Sequence, residues 1–174
     1  MFSYAGYSAT TFNLDLSSWN TASVTNMLSM FSYAGYSATT WSIGDLSSWN
    51  TASVTDMSSM FYYAGYNANT FTLDLSSWNT ASVTNMTFMF YYAGYNANTF
   101  TLDLSSWNTA SVTGVGSMDQ MFYYAGYNAT TWSVTIPRTN GAASPISNTT
   151  SRLYGKTTSN YATPPSGKSF TLAN

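Results

Sequence analysis

An aspartate recurs at one position of a repeated segment, and rows of carboxylates are the side chains of this chain best suited to chemistry. The four residues are Asp15, Asp45, Asp74 and Asp103. If the repeats stack in register, neighbouring carboxylates lie ~5 Å apart. Two carboxylates at that distance serve a retaining glycosidase, and a row of them can hold a hard cation such as calcium. A solvated ladder without chemistry is the third interpretation.

Catalysis is the least favoured of these interpretations. A catalytic pair needs two environments that separate its pKa values, whereas near-identical repeats give every aspartate the same surroundings. The chain also contains no His, Cys or Glu, which removes most general acid–base groups and nucleophiles. We therefore expect a non-enzyme without a cofactor or a metal centre. We favour the solvated ladder, and cation binding by the ladder stays open.

Tyrosines form two columns with the same periodicity as the aspartates. One column is Tyr4, Tyr33, Tyr63, Tyr92 and Tyr124, and the other is Tyr7, Tyr36, Tyr66, Tyr95 and Tyr127. Exposed rings would stack on sugars or contact a protein partner, whereas buried rings would be packing, and we leave both open. The candidate binding residues are thus the four aspartates together with Tyr36, Tyr66, Tyr95 and Tyr127.

A tryptophan also recurs once in each of four units, at Trp19, Trp49, Trp78 and Trp107. Tryptophan side chains are usually largely buried. We therefore predict that this column belongs to the core and not to a binding surface.

The elements that position these residues come from a repeat that opens on Met-Phe. The units start at Met1, Met30, Met60, Met89 and Met121, so the periods are 29, 30, 29 and 32 residues. Periods of this length indicate stacked supersecondary units that share their cores. We predict a repeat array over residues 1–133 and a C-terminal cap over residues 134–174. Because the chain opens directly on the Met-Phe of a unit, we expect it to be part of a longer protein.

A helix is predicted at each unit boundary. Val24, Met27, Met30, Phe31 and Ala34 have the spacing of an amphipathic helix. Ser23 with Asn26 resembles a capping box at its start. The glycine that follows in every unit can adopt the left-handed conformation that ends a helix. A final helical turn is predicted over residues 149–154.

A strand is predicted after each helix, because apolar and polar residues alternate with period two over residues 71–75. Equivalent strands are predicted over residues 12–16, 41–46, 100–104 and 131–136, with a further strand over 169–172. Gly44 is a one-residue insertion typical of a bulge. Strand and helix in alternation predict an α/β solenoid of ~29-residue units with a parallel sheet, and an all-β solenoid is the alternative.

Charge and hydropathy exclude two classes of partner. Only 6% of the residues are charged, and all six aspartates precede the four basic residues Arg138, Arg152, Lys156 and Lys168. The array therefore has no cation to neutralise phosphates, so we expect no nucleic-acid partner. No segment reaches the ~18 consecutive apolar residues of a membrane span.

Residues 73–86, LeuAspLeuSerSerTrpAsnThrAlaSerValThrAsnMet, followed by Met89-Phe90, carry a resemblance that recurs over residues 1–133. The sequence resembles the BspA-like leucine-rich-repeat surface proteins of bacteria. The resemblance implies a secreted or surface-anchored protein used in adhesion, or one of unassigned function. Two departures are the insert AlaGlyTyrAsnAlaAsnThr, which lengthens the unit, and Trp78, where such repeats generally keep an Asn. Binding specificity therefore does not transfer.

These observations together predict a non-enzymatic extracellular or cell-surface repeat protein that mediates adhesion or protein interaction. The alternatives are a structural subunit that assembles end to end into filaments, and a glycan-binding module that uses the tyrosine columns. The expected partners are accordingly a protein or glycan ligand on a surface, or copies of the chain itself.

Overall fold

The computed structural model describes residues 1–114, 117–136 and 168–172, and β-strands are the only regular elements in those residues. The strands are β1 (Thr11–Asn13), β2 (Thr40–Ser42), β3 (Thr70–Asp74), β4 (Thr99–Asp103), β5 (Thr131–Ile136) and β6 (Thr171–Leu172). All pairings are parallel: β1 pairs with β2, and β3 to β6 form a four-stranded sheet in chain order. The fold is an all-β solenoid.

Each strand pairs with the equivalent position of the next unit. Phe71 lies beside Phe100 and Leu73 beside Leu102, and these apolar side chains point into the core while the alternate residues face outward. The period-two pattern therefore predicted the position and pairing of the strands correctly. Strands β1 and β2 are shorter than predicted, and the inserted Gly44 follows β2 with a φ of +76°.

The helix predicted at each unit boundary is wrong, and with it the α/β class. In its place the chain makes successive turns, in which the N–H of Ala34, for example, donates to the carbonyl of Phe31 three residues earlier. The intervening N–H groups point out of the unit: that of Phe31 donates to Met60 and that of Tyr33 to Tyr62. Hydrogen bonds within a turn thus alternate with hydrogen bonds between units.

The spacing between units explains why turns replace helices. Packed helices need interaxial distances of about 8–10 Å, whereas neighbouring strands lie ~4.8 Å apart. On the turn side, the ring of Phe61 lies 5.4 Å from that of Phe31 and 5.3 Å from that of Phe90, centroid to centroid. Both sides of the solenoid therefore advance by nearly one strand spacing per unit. Turns fit this spacing, and their buried residues reproduce the i, i+3 pattern expected of a helix.

The core consists of aromatic columns that run along the array. The column that contains Phe61 continues through Phe90 to Phe122. A second column stacks Trp49, Trp78 and Trp107, which are buried as predicted, and the indole N–H of each donates to a backbone carbonyl of the preceding unit. These hydrogen bonds satisfy the polar atom of each buried ring. The prediction is wrong for Trp19 in the first unit, which is exposed.

The glycine that follows each tyrosine turn is required by its conformation and by its neighbours. Gly35 has a φ of +59°, and a Cβ atom there would lie 2.6 Å from Trp41 and 2.7 Å from Phe12. The positive φ was predicted, although it shapes a turn and does not end a helix.

At its C-terminal end the array is covered by residues 168–172. Strand β6 pairs with β5, and the ring of Phe170 packs 5.2 Å from Phe122 and 5.4 Å from Trp132. The strand predicted over 169–172 is therefore present at Thr171–Leu172. The helical turn predicted over 149–154 lies outside the described residues, and the division at residue 133 stays a prediction.

Candidate functional site

Three columns of stacked tyrosines cover one face of the array, which we call the tyrosine face. The two columns expected from the sequence stack with centroid distances of 4.7 to 5.3 Å between consecutive units. A third column stacks at 4.9 and 5.0 Å. The first column is Tyr4, Tyr33, Tyr63, Tyr92 and Tyr124; the second is Tyr7, Tyr36, Tyr66, Tyr95 and Tyr127; the third is Tyr62, Tyr91 and Tyr123.

The third column and an adjacent amide ladder were missed in the sequence. Its members replace the serines of the first two units, so the later units carry Tyr-Tyr dipeptides. Beside the columns, the side-chain amide of Asn96 donates to Asn67 and that of Asn128 donates to Asn96, both at 2.7 Å. The sequence signal that could have revealed both is that these tyrosines and asparagines recur with the same period as the two predicted columns. The later units therefore present the denser polar aromatic surface.

The backbone of the first tyrosine column adopts an unusual conformation. All five of its residues have φ between 55° and 59°, where a bulky side chain costs ~1–2 kcal/mol. The conformation follows from the turns, because the N–H of Tyr33 donates to Tyr62 in the next unit while the carbonyl of Tyr33 accepts the N–H of Tyr36. Strain of this kind persists where the surrounding structure enforces it.

Partial burial and mutual contact raise the pKa values of several tyrosines on this face. Desolvation, followed by the neighbouring phenols of Tyr62 and Tyr4, raises the pKa of Tyr33 to about 12. Desolvation followed by repulsion from neighbouring tyrosines also raises the pKa of Tyr63 and Tyr92. The face is thus neutral but rich in hydroxyl groups.

The candidate tyrosines of the second column, Tyr36, Tyr66, Tyr95 and Tyr127, all lie on this face. Tyr66 stacks on Tyr36 at 4.7 Å and on Tyr95 at 4.9 Å, with planes within 12° of parallel. Both faces of an interior ring are consequently covered by its neighbours. The column therefore exposes ring edges and hydroxyl groups to solvent.

The candidate aspartates Asp15, Asp45, Asp74 and Asp103 lie on a different part of the array, at or just after the strands. Asp74 and Asp103 are register partners on β3 and β4, and Thr135 takes this position on β5. One carboxylate oxygen of Asp74 accepts the backbone N–H of Ser76 at 3.0 Å and its hydroxyl at 2.6 Å. The Ser76 hydroxyl, followed by its N–H, lowers the pKa of Asp74.

The other aspartates of the ladder make the same local turn. Asp15 accepts both groups of Ser17, whose hydroxyl is the first cause that lowers the pKa of Asp15. Asp45 accepts the N–H of Ser47 at 2.8 Å, and Asp103 accepts that of Ser105 at 2.9 Å. Within the described residues, no group of three or more carboxylates is arranged to hold a metal ion. The ladder therefore has a turn-forming role, and whether it binds a cation stays a prediction.

A second polar column along the array was not anticipated. Asn26, Asp56 and Asn85 are paired by parallel bridges, and each accepts the N–H of the residue two positions later. In the sequence, these positions were interpreted as helix caps because Ser23 and Asn26 have capping-box spacing. Their geometry shows that they close turns.

Comparison with known proteins places the array in a family. Among curated proteins and among solved structures, none matches the chain. Within the described part of the chain, no helix is long and apolar enough to span a membrane. A family model described as "Mycoplasma protein of unknown function, DUF285" matches residues 1–94 and residues 35–136. These overlapping matches span well over half of the chain. The repeat architecture and the bacterial family agree with the resemblance noted above, whereas its leucine-rich-repeat details are not confirmed. The chain belongs to the DUF285 family.

Proposed function

We propose that the chain is a non-enzymatic surface protein that binds a protein partner through its tyrosine face. The observation that carries this proposal is the continuous contact within two tyrosine columns through all five units, on a backbone that holds one column at positive φ. Every pair of consecutive rings is stacked except Tyr92 and Tyr124, which are tilted by 37°. Tyrosine offers a large contact area with two side-chain torsions, so little entropy is lost on binding. Stacking fixes the rings beforehand and lowers this cost further.

The electrostatics of the face favour a partner surface with few charges. Phenols are neutral at pH 7, and the raised pKa values of Tyr33, Tyr63 and Tyr92 keep these three neutral to a higher pH. The Asn67–Asn96–Asn128 ladder adds amide groups beside the rings. Ring edges, hydroxyls and amides match a polar protein surface with exposed backbone or amide groups, because aromatic residues that combine apolar bodies and polar tips are enriched at protein interfaces.

Glycan binding is less well supported by the same geometry. Stacking on a sugar requires an open aromatic face, whereas the interior rings of each column are covered on both sides, as Tyr66 is by Tyr36 and Tyr95. A glycan would have to use ring edges and hydroxyls instead. We therefore place a protein ligand before a glycan ligand.

The experiment is a comparison of protein and glycan microarrays probed with the purified chain. The test variant is Tyr66→Ser with Tyr95→Ser, and the matched control is Thr72→Ser with Thr101→Ser on the strand face. We expect binding to a limited set of proteins that the tyrosine variant loses and the control keeps, with unchanged circular dichroism in both. Signals on glycans alone, signals that the tyrosine variant retains, or no signal on either array would contradict the proposal.

A location at the bacterial cell surface is the second part of the proposal. It is supported by the resemblance to bacterial surface repeat proteins and by membership of a Mycoplasma family. The test is treatment of intact cells that express the protein with a protease, followed by detection with an antibody against the array. Loss of the signal in intact cells is expected, and protection until the cells are lysed would exclude surface exposure.

End-to-end association is a second candidate function, favoured by the exposed surface of the first unit. Trp19 is 36% exposed although the equivalent Trp78 is 1% exposed, and Tyr4 is 58% exposed. Among the described residues, β1 has a partner strand on one edge only, and open strand edges favour pairing with another chain. The opposite end is covered by β6 and Lys168, which works against addition of a further copy there.

Light scattering coupled to size-exclusion chromatography, with negative-stain microscopy at low and high salt, tests this second candidate. Because the opposite end is covered, dimers that weaken in a Trp19→Gln variant are expected if the first unit is an association surface, whereas filaments would require that the covered end opens. Uniform monomers at every protein concentration would exclude it and leave partner binding by the tyrosine face as the function.

A further inference from the structure

We propose that the tyrosine face is a site of oxidative modification, in which phenols of adjacent units are joined by dityrosine cross-links. The inference stands apart from the identity of any binding partner. It rests on the contacts between rings that belong to different units: Tyr36 and Tyr66 lie 4.7 Å apart, Tyr63 and Tyr92 lie 4.7 Å apart, and Tyr62 and Tyr91 lie 4.9 Å apart. These rings are only partly buried, so a reagent in solvent reaches their edges.

The reaction needs a one-electron oxidant, and the class proposed is a haem peroxidase with hydrogen peroxide. Each of two tyrosines loses one electron to the peroxidase and one proton to water, which gives two phenoxyl radicals. One peroxide takes up the two electrons and two protons and becomes two waters. The radicals form a carbon–carbon bond between their ortho positions, and the ring hydrogen at each position moves to the phenol oxygen. The product has lost two hydrogen atoms relative to the starting pair.

The fixed geometry favours links between adjacent units over links between molecules. Groups held in contact within one molecule react at an effective concentration far above that of a second chain in solution. The rings have partners throughout the array, because consecutive tyrosines of the first column are stacked from Tyr4 to Tyr92, and Tyr92 contacts Tyr124 at 4.9 Å with a tilt of 37°. Stacked rings must tilt for their ortho carbons to bond, and their exposed edges leave room for that movement.

A cross-link of this kind would staple neighbouring units together. Tyr36 and Tyr66 are 30 residues apart in the chain, so a bond between them closes a loop that includes one full repeat. Closure of such a loop restricts the unfolded chain in the way that a disulfide does. The chain has no cysteine, so disulfides are excluded, and dityrosine is a covalent cross-link that its side chains allow.

The methionines of the repeat are cleavage sites that allow cross-links to be assigned to pairs of units. Each unit begins with a Met-Phe bond, and a further methionine precedes most of these bonds by three residues. Cyanogen bromide cleavage after Met27, Met30, Met57, Met60, Met86, Met89, Met118 and Met121 therefore places the tyrosines of each unit in a separate fragment. The native chain is treated with peroxidase and peroxide, methionine sulfoxides are reduced, and the cleaved products are analysed by mass spectrometry. We expect joined fragments such as 31–57 with 61–86, two hydrogen atoms lighter than their sum. The treated chain should also show dityrosine fluorescence and a raised midpoint of thermal unfolding.

Two controls separate the geometry of the face from general tyrosine reactivity. In a Tyr33→Phe/Tyr36→Phe variant, fragment 31–57 has no phenol but keeps its aromatic rings, so we expect its junctions to vanish while 61–86 still joins 90–118. The second control is the same treatment in denaturing urea. The proposal is overturned if junctions form equally in urea, if non-adjacent units join as often as adjacent ones, or if intermolecular dimers are the main product.

Discussion

The Nζ atom of Lys168 lies 2.6 Å from the carbonyl oxygen of Tyr127. In earlier units the equivalent carbonyl accepts an N–H from the next unit, as that of Tyr95 does from Asn128 at 3.0 Å. Lys168 therefore takes the place of the hydrogen bond that a further unit would make. It also donates to the carbonyl of Gly126 at 2.8 Å, so one side chain satisfies two carbonyls at the end of the array.

Replacement of this cap should loosen the last unit. We expect Lys168→Met to lower the free energy of unfolding of the fifth unit by ~1–2 kcal/mol, because two hydrogen bonds from a charged, partly exposed donor are lost. Hydrogen exchange at the amide of Asn128 is the measurement, with Ser169→Ala, an exposed neighbour, as the control. Equal protection in the wild type and in Lys168→Met would show that the cap contributes nothing.

The positive φ of Tyr63 predicts that glycine is a less destabilising substitution at this position than alanine. Both Tyr63→Ala and Tyr63→Gly lose the stacked ring, but only glycine adopts a φ of 55° without strain. We expect the glycine variant to be more stable than the alanine variant by ~1 kcal/mol. Urea unfolding of both variants measures the difference. At Tyr66, whose φ is not positive, the glycine variant should be no more stable than the alanine variant. A more stable glycine variant at both positions would refute the explanation.

Substitution of the turn glycine should be costly. Gly94→Ala places a Cβ atom 2.6 Å from that of Phe71 at a φ of +54°. We expect a loss of ~1–2 kcal/mol from backbone strain, with a further ~1–3 kcal/mol from overpacking. Thermal unfolding followed by circular dichroism tests this, with Ala93→Gly as a neighbouring control that adds no atom. An unchanged midpoint in Gly94→Ala would mean that the turn adjusts freely.

Alkaline pH should destabilise the array. The pKa of Tyr33 in the folded chain is about 12 against an ordinary value of 10.0, and those of Tyr63 and Tyr92 are also raised. Above pH 10 the unfolded chain therefore releases phenolic protons that the folded chain retains, so stability falls as pH rises from 10 through the folded pKa values. The measurement is the thermal midpoint against pH. A Tyr33→Phe/Tyr63→Phe/Tyr92→Phe variant should show a shallower decline, and an equal decline would place its cause elsewhere.

Acidic pH should also destabilise the array, through the aspartates that lie at or just after the strands. The pKa values of Asp15 and Asp74 lie below 3.8 because of their serine partners. The stability that these carboxylates contribute is present above pH 3.8 and is lost as pH falls through their folded pKa values. We expect Asp74→Asn, which keeps the accepting oxygen, to flatten the acid side of the stability profile. A profile that matches the wild type below pH 3.8 would show that Asp74 is not responsible.

The sequence predicted the strand side of the solenoid better than the turn side. Alternation of apolar and polar residues placed Phe71 and Leu73 in the core, and the shared period predicted that Tyr66 and Tyr95 would form a column. The helix failed because an i, i+3 apolar spacing fits a series of turns as well as a helix, and only the distance between units distinguishes them. The contact between Lys168 and Tyr127 joins residues 41 positions apart, so it could not be predicted from a local sequence pattern.

The alternation of hydrogen bonds within turns and between units has a mechanical consequence. The bonds between units point along the axis on the strand side and on the turn side alike. Tension applied along that axis therefore acts on the interfaces in series, and they can break one at a time. The array should then open in steps, each of which frees one unit of about 29 residues and extends the tether by ~100 Å at ~3.3–3.6 Å per residue. Force across the axis would shear many bonds at once, so resistance should depend on the direction of pull.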